Sequence, residues 1–200
     1  MNLDMLTTQA RQTLSAAQSL AHEMQHAELL PLHLLAAMIN DQDNVALSIL
    51  QRADREPARV SELVTAQLNQ LPTVNAPGGH MPQTSPGVMK VITTASKIAS
   101  SMEDQYVSGE HLLLALTDVP SPAADALHTL GLDAKTLRAA VDELRAASGV
   151  TNINDPEAES TYEALAKYAI DLNELAAAGR LDPVIGRDQE IRRCMQGISR

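Results

Sequence analysis

The chain carries a duplication, and that restricts its possible folds more than any other feature. Apolar residues Ala10, Leu14, Ala17, Ala21 and Met24 step by four, three, four and three, the spacing of one buried helix face. The same steps return 78 residues later at Val88, Ile92, Ala95, Ala99 and Met102, and the shift carries on from "HLLAAM" (33–38) to "HLLLAL" (111–116). Thr7 and Ser85 stand ahead of the two stripes as N-caps, and Pro86 takes the favoured first helical position. After a one-residue slip the match continues from "ILQRADREPARVSELV" (49–64) to "ALHTLGLDAKTLRAAV" (126–141), aligning Val60 with Leu137 and Val64 with Val141. Each copy is predicted to form about four helices.

Composition agrees with an all-α class. With no Phe, no Trp and three Tyr, the core must be packed by Leu, Ile, Val, Ala and Met, which favours interlocked helices over a sheet sandwich. "LPTVNAPGGHMPQTSPG" (71–87) is rich in Pro and Gly and reads as the loop between the copies. The polar stretch 147–157 reads as a linker, so the expected organisation is a duplicated helical domain over 1–146, a linker over 147–157 and a further helical segment over 158–200. In that last segment Tyr162, Leu165, Ala169, Leu172 and Leu175 mark a helix stopped by Gly179.

A formal charge of −10 without clustered Lys or Arg argues against nucleic-acid binding. The first residues lack the basic and apolar regions of a secretory signal, and no apolar run reaches eighteen residues, so a soluble cytoplasmic protein is expected. Cys194 stands alone and is given no role.

Catalytic signals are sparse. His22-Glu23-Met24-Gln25-His26 satisfies the H-E-x-x-H pattern of zinc peptidases, in which two histidines one turn apart hold the metal and the glutamate activates its water. Their counterparts in the second copy are Ser100 and Asp104, so the fold does not need the pair; no third ligand follows at the extended spacing, and a solvated helix face is the rival reading. His33 and His111 occupy equivalent places at the start of paired helices, which points to a shared packing or hydrogen-bonding role. There is no G-x-S-x-G, and no glycine is followed by lysine as a phosphate loop requires. No catalytic residue, and no cofactor or metal within these residues, is expected.

The stretch "GRLDPVIGRDQEIRRCMQGISR" (179–200) resembles the opening of the first AAA+ module of the Clp ATPases, and "YEALAKYAIDLNELAAAGR" (162–180) resembles the helix entering it. "PLHLL" (31–35) and "GEHLLLAL" (109–116) resemble the Clp N-terminal domain, so the likeness spans all 200 residues. "MNLDMLTTQA" and the short linker are most similar to the disaggregating ClpB-type branch, and less to the ClpC-type branch that serves a protease through docked adaptors. The resemblance implies a piece of a longer protein that stops short of the phosphate loop and does not itself hydrolyse ATP. It implies that the full-length parent is an ATPase binding ATP and Mg, assembled as a homohexamer and served by an Hsp70-type (DnaK) system through parts outside these residues. Val184 and Ile185 would then cover adenine once the module is complete.

By the same resemblance the N-domain collects exposed apolar segments of unfolded or aggregated proteins for the hexameric ring, and Thr7, Asp104 and Glu110 match positions linked to substrate handling. Thr7 is also an N-cap, and Glu110 also suits a helix first turn. Two packed repeats leave a seam, and the apolar residues Val91 and Ile98, lying off the core stripe, are candidates to line it, with core packing as the rival reading.

Overall fold

The stripe at Ala10 forms helix α1 (Thr8–Glu23) and its repeat forms α5 (Pro86–Ser101) in the computed structural model, which describes residues 3–74 and 81–159. Thr7 Oγ1 accepts the Ala10 amide and Ser85 Oγ accepts that of Val88, so both start signals act as their sequence indicated. The remaining pairs are α2 (Pro31–Asn40) with α6 (Gly109–Asp118), α3 (Val45–Arg52) with α7 (Pro122–Thr129), and α4 (Pro57–Leu68) with α8 (Ala134–Ser148). The first two pairs begin and end 78 positions apart and the third 77 apart, so the slip falls in the turn between the second and third helices of each copy. The fold is all-α. Two residues of parallel ladder, β1 (Glu28–Leu29) beside β2 (Gln83–Thr84), are the one named sheet among the described residues. The chain divides into two units, 1–168 and 169–200. The described residues belong to the first; the helix expected from Tyr162, the AAA+-like segment, Val184, Ile185 and Cys194 lie outside them.

The copies are stapled to each other reciprocally. Thr84, just ahead of α5, pairs with Leu29, just ahead of α2; Leu6, just ahead of α1, pairs with Val107, just ahead of α6. Thr7 donates its amide to Val107 O at 3.0 Å, and Ser85 donates to Leu29 O at 3.1 Å. Backbone turns repeat as well. Gln25 and Glu103, 78 apart, end α1 and α5 in the left-handed region at φ 57° and 60°. Asp54 and Gly131, 77 apart, adopt it between the third and fourth helices; glycine does so without strain and Asp with little.

At the centre lie α2 and α6, whose residues Pro31 to Ile39 and Gly109 to Thr117 are all buried. Each carries a histidine at its third position that reaches back over the helix start. The Leu30 amide donates to His33 Nδ1 at 2.9 Å and the Ser108 amide to His111 Nδ1 at 3.0 Å, so these imidazoles satisfy amides that the helix leaves free. Each Nε2 then meets the equivalent residue seven positions earlier, His26 at 2.8 Å in the first copy and Asp104 at 2.9 Å in the second. The shared role expected for His33 and His111 is this pair of hydrogen bonds.

Burial, reinforced by repulsion from His26, holds His33 down at about 4 against its ordinary 6.5; burial also lowers His26. As pH falls below 6.5 the unfolded chain takes up protons that folded His33 refuses. Stability is therefore complete above pH 6.5 and is lost as pH falls through about 4, by up to ~3 kcal/mol for this residue. His33→Gln keeps the reach-back bond without a titrating group, so its unfolding free energy from urea titration should gain on the parent's by about 2.5 kcal/mol between pH 7.5 and 4.5; parallel pH curves would show the imidazole pair to be electrostatically inert.

Candidate functional site

The seam between the copies opens as a groove where α1 and α5 run past the β1–β2 ladder. Leu14 from α1, Val88 and Ile92 from α5 and Leu29 from β1 supply its apolar wall, with Arg11 and Thr84 among its polar lining. Its volume is about 250 Å³, below the ~300–1,000 Å³ of small-molecule pockets, and it suits a few side chains of a passing peptide. Val91 and Ile98 are not in that wall. Val91 is fully buried and Ile98 is half-buried against the core. The reason is helical geometry: the two lie three residues beyond Val88 and Ala95, on the second row of the same inward face, which is wider than one stripe. Leu14, Val88 and Ile92, members of the stripe itself, line the groove instead.

Thr7, Asp104 and Glu110 are also absent from the groove lining. Thr7 is buried as the N-cap of α1. Asp104 and Glu110 face the guanidinium of Arg145 on α8, which donates from Nη2 to Asp104 Oδ2 at 2.5 Å and from Nε to Glu110 Oε1 at 2.8 Å. His111 Nε2 bonds the same Asp104 Oδ2. Glu110 is 0% exposed and both Asp104 and Arg145 8%, so this is an interior ion cluster. Burial alone would push the Asp104 carboxyl up; bonds from His111, Arg145 and the Ile153 amide outweigh it and hold the group at about 2. Arg145 is opposed by burial and raised by its two carboxylates, so it keeps its charge.

The first copy has the same framework without the charges. The positions equivalent to Asp104, Glu110 and Arg145 are His26, Leu32 and Leu68, all buried. An arginine standing where the other copy has leucine was the available sign of the cluster. Ligand atoms of Asp104, Glu110 and His111 lie within 4.8 Å of one another, a spacing that would suit a cation, and Arg145 already supplies one.

The cluster also holds chain that follows the repeats. Asp104 Oδ1 accepts the Ile153 amide at 2.6 Å and Arg145 Nη1 donates to Thr151 O at 3.2 Å. Farther on, Thr8 donates its amide to Pro156 O at 2.9 Å, and the buried carboxylate of Glu159 accepts from the Gly109 amide at 2.7 Å and from the Thr7 hydroxyl. Nothing in the repeat pattern signalled Glu159, which lies outside it.

The zinc-peptidase pattern does not assemble. α1 stops at Glu23 and Gln25 turns left-handed, so exposed His22 remains on the last turn while His26 swings inward to His33. The two imidazoles share no helix face. Among the described residues no helix is long and apolar enough to cross a membrane.

The family model of the Clp repeat (R) N-terminal domain matches residues 5–130. Chaperone protein ClpB of Rhodopirellula baltica is 39% identical over 198 residues, covering 99% of this chain and 22% of that protein. Chaperone protein ClpB of Mycobacterium tuberculosis is 39% identical over 194 residues, covering 97% of this chain and 22% of that protein. The solved Hsp104 N-terminal domain from Candida albicans superposes with a TM-score of 0.67 at 30% identity, over 77% of this chain and 98% of that one.

The cluster makes a sharp energetic contrast testable. Arg145→Met leaves two buried carboxylates without their cation and should cost ~3–5 kcal/mol in urea unfolding. The triple change Asp104→His, Glu110→Leu, Arg145→Leu installs the residues of the first copy and should recover most of that loss; a triple variant as unstable as the single one would refute the equivalence of the two sites.

Proposed function

The chain belongs to the Clp repeat N-terminal domain family, and on that premise we propose that it captures exposed apolar segments of unfolded or aggregated polypeptide and hands them to the AAA+ ring of a ClpB-type disaggregase. The observation that carries this reading is the groove of Leu14, Leu29, Val88 and Ile92, an apolar recess held between copies that are otherwise closely packed. Apolar burial there selects for side-chain character and shape, without base-edge or charge readout, and so tolerates many sequences. Three or four contacts of about 1.5 kcal/mol each sum to ~4.5–6 kcal/mol, so even before the cost of association the affinity is no tighter than tens of micromolar. A site meant to pass its cargo onward works in that range.

The chain spans 22% of the length of the curated ClpB relatives it matches. The likeness to those chaperones along almost the whole of this chain favours the disaggregase over the protease-subunit reading. In this reading ATP with Mg, homohexamer formation and cooperation with an Hsp70-type system belong to the rest of a cytoplasmic protein, and the N-domain contributes no catalytic group.

Leu14 is half-buried against the core and Ile92 belongs to it with 7% of its surface exposed, and both line the groove. Leu14→Gln with Ile92→Thr should weaken binding of a reduced, alkylated, permanently unfolded protein at least tenfold by fluorescence anisotropy, with helicity retained. Unaltered binding by a helical double variant would move capture away from this groove.

A further inference from the structure

We propose that residues 150–159 form a releasable clasp, closed on a face built by the second repeat and joined by Thr7 and Thr8 at the start of α1, with Glu159 as its catch, so that the clasp loosens as the solution becomes less acidic. Four departures of the second repeat from the first converge on this one strip of chain. Asp104, in place of His26, accepts the Ile153 amide at 2.6 Å. Arg145, in place of Leu68, donates to Thr151 O and fixes Asp104. Glu110, in place of Leu32, anchors Arg145 by accepting from its Nε.

The fourth is Gly109, in place of Pro31. Proline at the first position of α2 has no amide hydrogen to satisfy; glycine at the first position of α6 has one, and Glu159 Oε1 takes it at 2.7 Å. The site is fitted as well as paired, since a Cβ on Gly109 would stand 3.0 Å from that carboxylate oxygen and 2.9 Å from Val45 Cγ1. The first repeat meets its own trailing chain through a backbone bridge, Thr73 beside His26. In the second, Gln105 and Tyr106 likewise donate backbone amides to Ile153 O, and the side chains of Asp104, Arg145 and Glu159 add their bonds, with Ile153 1% and Glu159 2% exposed.

Glu159 gives the clasp a direction of response. Burial pushes its carboxyl up to about 7 from its ordinary 4.5; bonds from Thr7 and the Gly109 amide pull against this, and the charge of Glu110 adds to it. The ionisable groups around the catch are mostly acidic. Glu110 comes from α6, Asp43 from the turn ahead of α3 and Glu157 from the clasp itself, while Arg11 from α1 reaches Thr8 and Arg145 from α8 is spent on Glu110 and Asp104. The closed form therefore holds the proton more tightly than the open one. Closure is fully supported below pH 4.5 and loses support as pH rises through about 7. The bonds of Asp104, held at about 2, stay constant over that range. Opening would release ten residues, a tether of about 30 Å at ~3.3 Å per residue.

Hydrogen exchange of this 200-residue chain, read by mass spectrometry and corrected for the intrinsic pH dependence of exchange, tests the clasp directly. Protection of 150–159 should fall at least tenfold between pH 5.5 and 7.5, relative to the protection of α6. Glu159→Gln should remove that pH dependence, and Gly109→Ala, with helicity checked by circular dichroism, should leave the segment open throughout. Constant protection in the parent, or the parent's pH profile surviving in Glu159→Gln, would overturn the proposal whatever Gly109→Ala does.

Discussion

In the middle of the domain α2 and α6 have no exposed face over Pro31–Ile39 and Gly109–Thr117, and everything else is arranged to cover them. A helix buried on all sides is not hidden by three neighbours from its own copy, so each copy must lend surface to the other. With no aromatic residue larger than Tyr and only three of those, the covering is made by Leu, Val, Ile and Ala, each large aliphatic chain contributing about 1.5–3 kcal/mol when buried. The reciprocal pairings of Leu6 with Val107 and of Thr84 with Leu29 follow from this exchange. They bring the entries of α1 and α5 together across the seam. The groove is what remains where two convex helices meet over a ladder of two residues.

Symmetry of backbone has been kept while symmetry of charge has been abandoned. One half closes the space around its N3 histidine with His26, Leu32 and Leu68; the other uses Asp104, Glu110 and Arg145. Ion pairs in an interior rarely add stability over apolar packing of similar volume. Their presence in one half alone is better explained by what they hold outside the repeat, the chain from Thr151 to Glu159. The apolar groove and the charged face are thus separate devices, one suited to foreign polypeptide and one occupied by the molecule's own continuation.

Much of the scaffold was open to sequence reasoning because helix periodicity and capping are local. The stripes, the caps at Thr7 and Ser85, the slip between the second and third helices and the matched histidines all recur in the structure. The wall of the groove was less accessible. A stripe identifies residues that avoid water, and it does not say whether a neighbouring helix or an open recess faces them, so it does not reveal that Val91 is sealed in the core while Leu14 and Ile92 border the groove. Asp104 differs from its counterpart His26 in the sequence itself, but no local pattern ties it or Glu110 to an arginine on α8, 35 to 41 residues away.

The order of residues by itself determined the helices and their pairing into two like units, since both rest on spacings of a few residues or on comparison of one copy with the other. Tertiary structure alone decided which apolar residues stay reachable, that His22 and His26 part company where α1 ends, and that Arg145 and Glu159 become the charged fittings of one face. The physical reason is that burial and electrostatic partnership are properties of a place in space, filled by groups as far apart in the chain as Thr7 and Glu159, and no local pattern encodes them.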